Sequence, residues 1–229
     1  MDHSIQVHYD GNEEFLNRIF AFHSLTSKSA DSCGGGKCQW DDILDNNSYI
    51  EALLDAQDKE KLKEVFMYPS KHTLFRGFDD NDRIDIEFVW DNGQNLKFSR
   101  VILDALLRFA CAINAKKLPN PEGLFEDKVL IENVIDRIEE KLNQELSFPE
   151  TNGVFGLPTK RGIVTFRAAQ ALYQSWRINE LCKNIENLKI LEIGAGLGRN
   201  AYFCKKMYNL ENFTIVDLPL TSILNYKFV

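Results

Sequence analysis

The sequence predicts an α/β protein in which a mainly helical N-terminal region, residues 1–150, precedes a β-α-β unit that begins near residue 188. Two observations lead to this class. Apolar residues recur at helical spacing over most of residues 13–185. After residue 188, two short apolar runs flank a glycine-rich turn and a segment suited to a helix. A glycine-rich loop and a linking helix, residues 151–187, connect the two parts.

The composition is that of a globular protein. Of the 229 residues, 44% are hydrophobic and 27% are charged, and 27 basic against 34 acidic residues give a net charge of −7. An acidic chain without a basic stripe is a poor candidate for binding nucleic acid. The N-terminus lacks a secretory signal and no apolar run is long enough to cross a bilayer, so we expect no membrane span and a cytoplasmic location.

Three helices and one short strand are predicted in the first half of the chain. Glu13–Leu25 carries apolar residues at helical spacing, and residues 26–37 read as a polar, glycine-rich loop. A single helix with a charged outer face is expected over Tyr49–Phe66. Apolar and polar residues alternate over Ile84–Trp90, which indicates a strand. Val101–Ile113 is apolar nearly all round and predicts a buried helix.

The middle of the chain predicts two further helices separated by a loop. An apolar stripe runs from Ile131 to Leu146, and Glu150–Gly162 is predicted to be a loop because it holds three glycines and a proline. A long helix follows over Thr165–Ile185. Its side chains expected to face a core are Phe166, Ala169, Leu172, Tyr173 and Trp176.

The cysteines do not predict a metal site. Their number, five, is odd, and most lie in apolar stretches, which favours reduced thiols. Cys33 and Cys38 enclose three glycines, but no further ligands follow at regular spacing. We therefore predict a mobile glycine loop there and no metal.

The segment that carries chemistry begins at Leu188. Residues 189–193 form a short apolar strand, and glycines occupy three of the next five positions. Arg199–Tyr208 is suited to a helix, whose side chains expected to pack inward are Ala201, Phe203, Cys204 and Met207. A second apolar strand, Phe213–Asp217, ends in an acid. This order predicts a β-α-β unit with parallel strands.

Each part of this unit has a physical task. Glycines let the backbone turn sharply and approach a ligand closely. The N-terminus of the following helix offers free N–H groups and the positive end of its dipole to a carboxylate or phosphate. Asp217, at the end of the second strand, is placed to accept hydrogen bonds from the two hydroxyls of a ribose.

The glycine spacing distinguishes between nucleoside cofactors. The nicotinamide fingerprint G-x-G-x-x-G fails because Arg199 stands at its third position. The order Glu192-x-Gly194-x-Gly196-x-Gly198 resembles the first motif of class I S-adenosylmethionine (SAM)-dependent methyltransferases. The resemblance implies a Rossmann-like domain and SAM as cofactor. It also implies that Glu192 helps to set the loop and the methionine-binding end, and that Asp217 holds the ribose. The implied cofactor-binding residues are Glu192, Gly194, Ala195, Gly196, Gly198, Asp217 and Leu218.

Over residues 148–229 the chain is similar to the bacterial sugar O-methyltransferases. This narrower resemblance implies a sugar hydroxyl, in a small molecule or a glycan, as methyl acceptor. Two features before the cofactor strand also match that family: the glycine-rich loop Gly156–Gly162 and the Arg/Tyr-bearing helix segment Arg167–Arg177. We therefore consider that Arg161, Arg167, Tyr173 and Arg177 fold over the cofactor; the alternative is that the arginines are surface residues and Tyr173 is core. No catalytic residue is assigned, because many acid–base residues of class I enzymes follow later strands.

The resemblance also raises a question of extent. A class I domain has seven strands, and this sequence reaches only the second, so we expect the N-terminal part of a methyltransferase that is inactive alone. It would be a shortened chain, an interrupted gene product or half of a split enzyme, whose partner is a chain that supplies the missing strands or a second copy. Two alternatives stay open: a non-enzymatic binding or assembly module derived from a methyltransferase, and a nicotinamide-dependent oxidoreductase.

Overall fold

The fold was analysed in a computed structural model, which describes residues 13–26, 45–67, 94–117, 130–148, 156–210 and 212–217. Within these ranges it is a mixed α/β structure. Its elements, in chain order, are α1 (Glu13–Thr26), α2 (Ser48–Asp55), α3 (Lys59–Met67), α4 (Gln94–Ala112), α5 (Ile131–Leu142), β1 (Leu157–Thr159), β2 (Gly162–Val164), α6 (Phe166–Cys182), β3 (Ile190–Ile193), α7 (Arg199–Tyr208) and β4 (Phe213–Val216). The expected loop around Cys33 and Cys38 and the expected strand Ile84–Trp90 lie outside the described residues.

The predicted single helix over Tyr49–Phe66 is wrong, because two helices, α2 and α3, occupy this region. The chain leaves α2 through Gln57, whose φ of 52° is left-handed. Asp58 then caps α3, since its carboxylate accepts the N–H of Lys61 at 3.2 Å. The helical spacing of apolar residues continues across the break, which explains why periodicity alone did not reveal it.

Helix α4 is longer and less buried than predicted. It begins at Gln94 rather than Val101, and Val101 is 42% exposed. Arg108 donates to Asp104 at 2.6 Å on the exposed side of the helix. One side of α4 therefore faces outward, while Ile102, Leu106 and Phe109 lie in the core.

The predicted loop over Glu150–Gly162 is wrong from Leu157 onward. Strands β1 and β2 form an antiparallel hairpin, in which Leu157 pairs with Val164 and Thr159 with Gly162. The N–H of Phe148 donates to the carbonyl of Arg161 at 2.8 Å, which ties the hairpin to the segment after α5. Only three residues lie in each strand, too few for the alternation that identifies a strand in sequence.

Two hydrophobic clusters form the core. The larger one is built mainly from α4, α5, α6 and α7, with the aromatic side chains of Phe109, Phe148 and Phe203 among its buried members. The smaller one is built from α1, α2 and α3, and it also contains Leu197 from the loop before α7. Tyr202 packs against both clusters, so α7 connects them.

Helix α6 spans Phe166–Cys182 instead of the predicted Thr165–Ile185, and its buried side differs from the predicted one. Thr165 precedes its first turn, and the buried stripe is Ala168, Ala169, Ala171, Leu172 and Ser175. Tyr173, expected in the core, is 42% exposed and meets the ring of Phe109 edge-on at 6.3 Å. It lies beside the stripe, over the contact between α6 and α4.

The predicted β-α-β unit is confirmed. Strands β3 and β4 are parallel, with Ile190 opposite Phe213 and Ile193 opposite Val216, and α7 connects them. The side chains predicted to pack inward from α7, those of Ala201, Phe203, Cys204 and Met207, are all buried. Among the helices in the described parts of the chain, none is both long and apolar enough to span a membrane.

The start of α6 can be tested at Thr165. Its Oγ1 accepts the N–H of Ala168 at 2.9 Å in a buried setting. Thr165→Val keeps the side-chain shape but leaves that N–H without its acceptor, so we expect the free energy of unfolding to fall by about 1–2 kcal/mol. Chemical denaturation measures this loss.

The matched control for Thr165 is Thr214→Val on the exposed side of β4. It should change the free energy of unfolding by less than about 0.5 kcal/mol. Equal effects of the two substitutions would show that Thr165 does not cap α6.

Candidate functional site

The predicted cofactor residues meet at one edge of the β3–β4 sheet. The loop Gly194–Gly198 leaves the carboxyl end of β3 and enters α7, and Asp217 follows β4 at the same edge. The N–H of Gly194 donates to the carbonyl of Val216 at 2.8 Å. The N–H of Gly196 donates to Oδ2 of Asp217 at 3.0 Å. Two hydrogen bonds therefore tie the loop to the end of the neighbouring strand.

The loop turns through three glycines with left-handed backbone angles. The φ angles are 73° at Gly194, 60° at Gly196 and 75° at Gly198. A Cβ atom placed on Gly194 would meet no atom within 4 Å. Crowding therefore does not demand glycine at position 194. The positive φ at position 194 is what favours glycine. The space in front of the end of β3 is open.

Two buried residues fix the entry to α7. Leu197 is 5% exposed and packs into the cluster formed by α1, α2 and α3. Arg199, the first residue of α7, is also buried. Sequence reasoning missed Leu197, although a single apolar side chain within a glycine loop was the available signal. The N-terminal helices thus provide the surface on which the loop rests.

Glu192 lies on the side of β3 that faces α7. Its Oε1 atom accepts the Nδ2–H of Asn200 at 3.4 Å, and its Oε2 atom is buried without a hydrogen-bond partner among the described residues. Burial raises the pKa of Glu192 most, and the nearby Asp217 carboxylate raises it further, while the Asn200 hydrogen bond lowers it. Asn200 was not predicted; its place in the first turn after the glycines was the available signal.

Asp217 makes a hydrogen bond to the glycine loop that the sequence did not reveal. Its Oδ2 atom accepts the Gly196 N–H, so the acid holds the loop in its conformation. A carboxylate has about four lone-pair positions, so it can accept hydrogen bonds from more than one donor. Ala195 and Gly196 are partly exposed at the same edge. Leu218, also predicted to bind cofactor, lies outside the described residues.

Arg161 points at α5 instead of at an open site. Its guanidinium donates to Oε2 of Glu132 and to Oε2 of Glu139, each at 2.6 Å, and also to Asp136. The carboxylates of Glu139 and Asp136 raise the pKa of Arg161, and its side chain is 20% exposed. The hypothesis that Arg161 folds over the cofactor is opposed by this geometry, because its donors are directed at three carboxylates of the chain itself.

The other three residues of that hypothesis lie along α6. Arg167 is exposed and donates to Gln170 at 3.2 Å, and Arg177 is also exposed. Tyr173 lines a groove of about 1010 Å³ between α4 and α6, with Val101, Ala105, Phe109 and Phe166 among its apolar walls. No glycine-loop residue lines this groove.

Comparisons with family models, curated proteins and solved structures gave no match to this sequence. The residues that the structure describes include no group of three or more His, Cys, Asp or Glu side chains able to hold a metal ion. The site is therefore described by its own geometry: an open edge between two parallel strands, a glycine loop and two acids.

Gly194 provides a test of the loop conformation. Gly194→Ala should lower the free energy of unfolding by about 1–2 kcal/mol, because its φ is left-handed and no neighbouring atom is displaced. Gly194→Asn should cost less, because asparagine tolerates left-handed angles. Chemical denaturation compares the variants, and an asparagine variant less stable than the alanine variant would contradict this reading.

Arg161 provides a test of its structural role. Arg161→Met should lower the free energy of unfolding by about 2 kcal/mol, because it leaves three acidic side chains without their shared cation. The loss is smaller than the roughly 3–5 kcal/mol for breaking a fully buried ion pair, because these side chains are partly exposed. Arg177→Met, at an exposed position of α6, is the control and should change stability by less than about 0.5 kcal/mol. A neutral Arg161→Met variant would contradict the assignment.

Proposed function

We propose that the chain binds SAM at the loop Gly194–Gly198 and serves the transfer of its methyl group to a sugar hydroxyl. The observation that carries this proposal is the juxtaposition of the left-handed glycine loop with Glu192 and Asp217 at one edge of a parallel strand pair. On this proposal the unit is the start of a Rossmann-like domain. The sugar acceptor follows from the resemblance over residues 148–229.

Properties of the chain's own residues fit a cationic nucleoside cofactor. Glu192 has a buried Oε2 atom without a donor among the described residues, and an ammonium group supplies donors. With Glu192 ionised in the complex, its carboxylate and that of Asp217 favour a ligand with two positive groups, a sulfonium and an ammonium, and only one carboxylate. The space open at Gly194 leaves the backbone accessible to the ligand.

Each residue of the site has one task in this proposal. Glu192 faces the methionine end, Asp217 accepts from the ribose hydroxyls, and the glycines let the backbone come close. When bound, SAM supplies an electrophilic methyl group on sulfur. The protein's contribution is to hold this group in line with the acceptor oxygen.

The nicotinamide alternative is less well supported. Arg199 stands where the dinucleotide fingerprint has its third glycine.

A second candidate is a binding or assembly module, and one observation favours it. The side of the β3–β4 sheet away from α7 exposes Leu191, Ile193 and Val216, at 62%, 77% and 50%. Parallel sheets are usually covered on both faces, so this apolar face suits a packing partner. SAM binding separates the two candidates, because a packing module alone has no affinity for the cofactor.

Calorimetric titration of the purified chain with SAM tests the proposal. We expect saturable binding of SAM and none of NAD. Asp217→Asn should weaken SAM affinity about 10-fold or more, since hydrogen bonds to a charged group contribute about 1.5–3 kcal/mol. Circular dichroism verifies that the variant is folded.

The charge-matched control is Glu140→Gln on the exposed face of α5. It removes one carboxylate far along the chain from the loop and should leave SAM affinity unchanged. A folded wild-type chain without SAM affinity would contradict the proposal, and equal weakening by both variants would contradict the ribose role of Asp217.

A further inference from the structure

Glu192 and Asn200 are hydrogen-bonded to each other, and each has one buried polar atom without a partner among the described residues. The Nδ2–H of Asn200 donates to Oε1 of Glu192 at 3.4 Å. The second oxygen of the carboxyl group, Oε2, and the side-chain oxygen of Asn200, Oδ1, are both buried and lack partners among the described residues. Both are acceptors when Glu192 is ionised, so neither can satisfy the other. Buried acceptors without donors are rare in proteins and costly.

We propose that Glu192 is protonated in the ligand-free chain and donates its Oε2–H to Oδ1 of Asn200. The acid and the amide then form a reciprocal pair with two hydrogen bonds, and one proton satisfies both unpaired atoms. We call this arrangement the acid–amide pair of Glu192 and Asn200.

The groups around Glu192 support a neutral acid. Burial is the largest cause of the raised pKa of Glu192, and Asp217, at the end of β4, raises it further by opposing a second negative charge, while the Asn200 hydrogen bond lowers it. Along α7, Cys204 is fully buried with a pKa raised to about 12, and burial also raises the pKa of Tyr208. Cys182 of α6 lies near Cys204 and influences its pKa. These groups are neutral or negative, and the buried cation Arg199, which precedes Asn200 in sequence, is not among the groups that shift the pKa of Glu192.

The acid–amide pair has a consequence for cofactor binding, which rests on the proposed function. An ammonium group that binds at Glu192 needs the carboxylate, so the proton must leave: the protonated acid and the ligand give the carboxylate–ligand complex and one free proton. SAM affinity should therefore rise as the pH rises toward the pKa of Glu192 in the free chain and level off above it. Glu192 and Asn200 together make cofactor binding sensitive to pH.

Nuclear magnetic resonance on the ligand-free wild-type chain tests the acid–amide pair. With ¹³C in glutamate side chains, the Cδ resonance of Glu192, assigned by its absence in Glu192→Gln, should titrate at a higher midpoint than that of the exposed Glu140. The side-chain amide of Asn200 should shift at the same midpoint as Glu192. The amide of the exposed Asn133 is the control and should not follow this midpoint.

The Glu192→Gln variant is the matched substitution, because glutamine has the shape of the protonated acid and can make both hydrogen bonds. In this variant the shift of the Asn200 amide with pH should disappear. Titration of Glu192 together with Glu140, or an Asn200 amide that does not respond to Glu192, would overturn the proposal.

SAM calorimetry in two buffers with different ionisation enthalpies tests the linkage. Below the midpoint of Glu192, the wild-type chain should release one proton for each SAM bound. SAM binding without proton release would overturn the linkage. No SAM binding, together with a shared midpoint of Glu192 and Asn200, would contradict the proposed function while the acid–amide pair stands.

Discussion

The hydrogen bond from the N–H of Gly196 to the carboxylate of Asp217 is the contact on which the candidate site depends. It joins the centre of the glycine loop to the end of β4, and the bond from Gly194 to Val216 fixes the start of the loop at the same edge. The parallel pairing of β3 and β4 makes this possible, because it brings both carboxyl ends together. The left-handed loop, the open space at Gly194 and the nearness of the two acids all require this arrangement.

The loop is supported from the other side by the N-terminal helices. Leu197 enters the cluster of α1, α2 and α3, and Tyr202 of α7 packs against both clusters. The hydroxyl of Tyr202 also lies 3.3 Å from the carbonyl oxygen of Ser147, after α5. The N-terminal helices therefore support the glycine loop through Leu197. Substitutions in α1 or α2 can change the conformation of the loop although they lie outside it.

The sequence predicted the elements that have strong local signals. The β-α-β unit followed from two apolar runs around three glycines, and the inward face of α7 followed from its spacing. Three features escaped because their causes are not local. The end of α2 depends on a left-handed Gln57, the hairpin β1–β2 is too short to show alternation, and Arg161 is directed by carboxylates more than twenty residues earlier in the chain.

The sequence identified most residues of the site, but it did not reveal the hydrogen bonds between them. The spacing identified Glu192, the glycines and Asp217, because a tight strand-to-helix turn needs residues without a Cβ atom. Two hydrogen bonds, from Gly196 to Asp217 and from Asn200 to Glu192, depend on side-chain orientations across the sheet edge. Residue spacing does not encode these orientations. Leu197 was overlooked because its partners lie in helices distant in sequence.

The most direct measurement is the response of the glycine amides to SAM in a ¹⁵N-labelled chain. We predict that the resonances of Gly194, Gly196 and Gly198 shift as SAM is added. Gly162, a glycine with positive φ in the hairpin, is the internal control and should not shift. Unchanged loop glycines, or shifts confined to the groove between α4 and α6, would contradict the account.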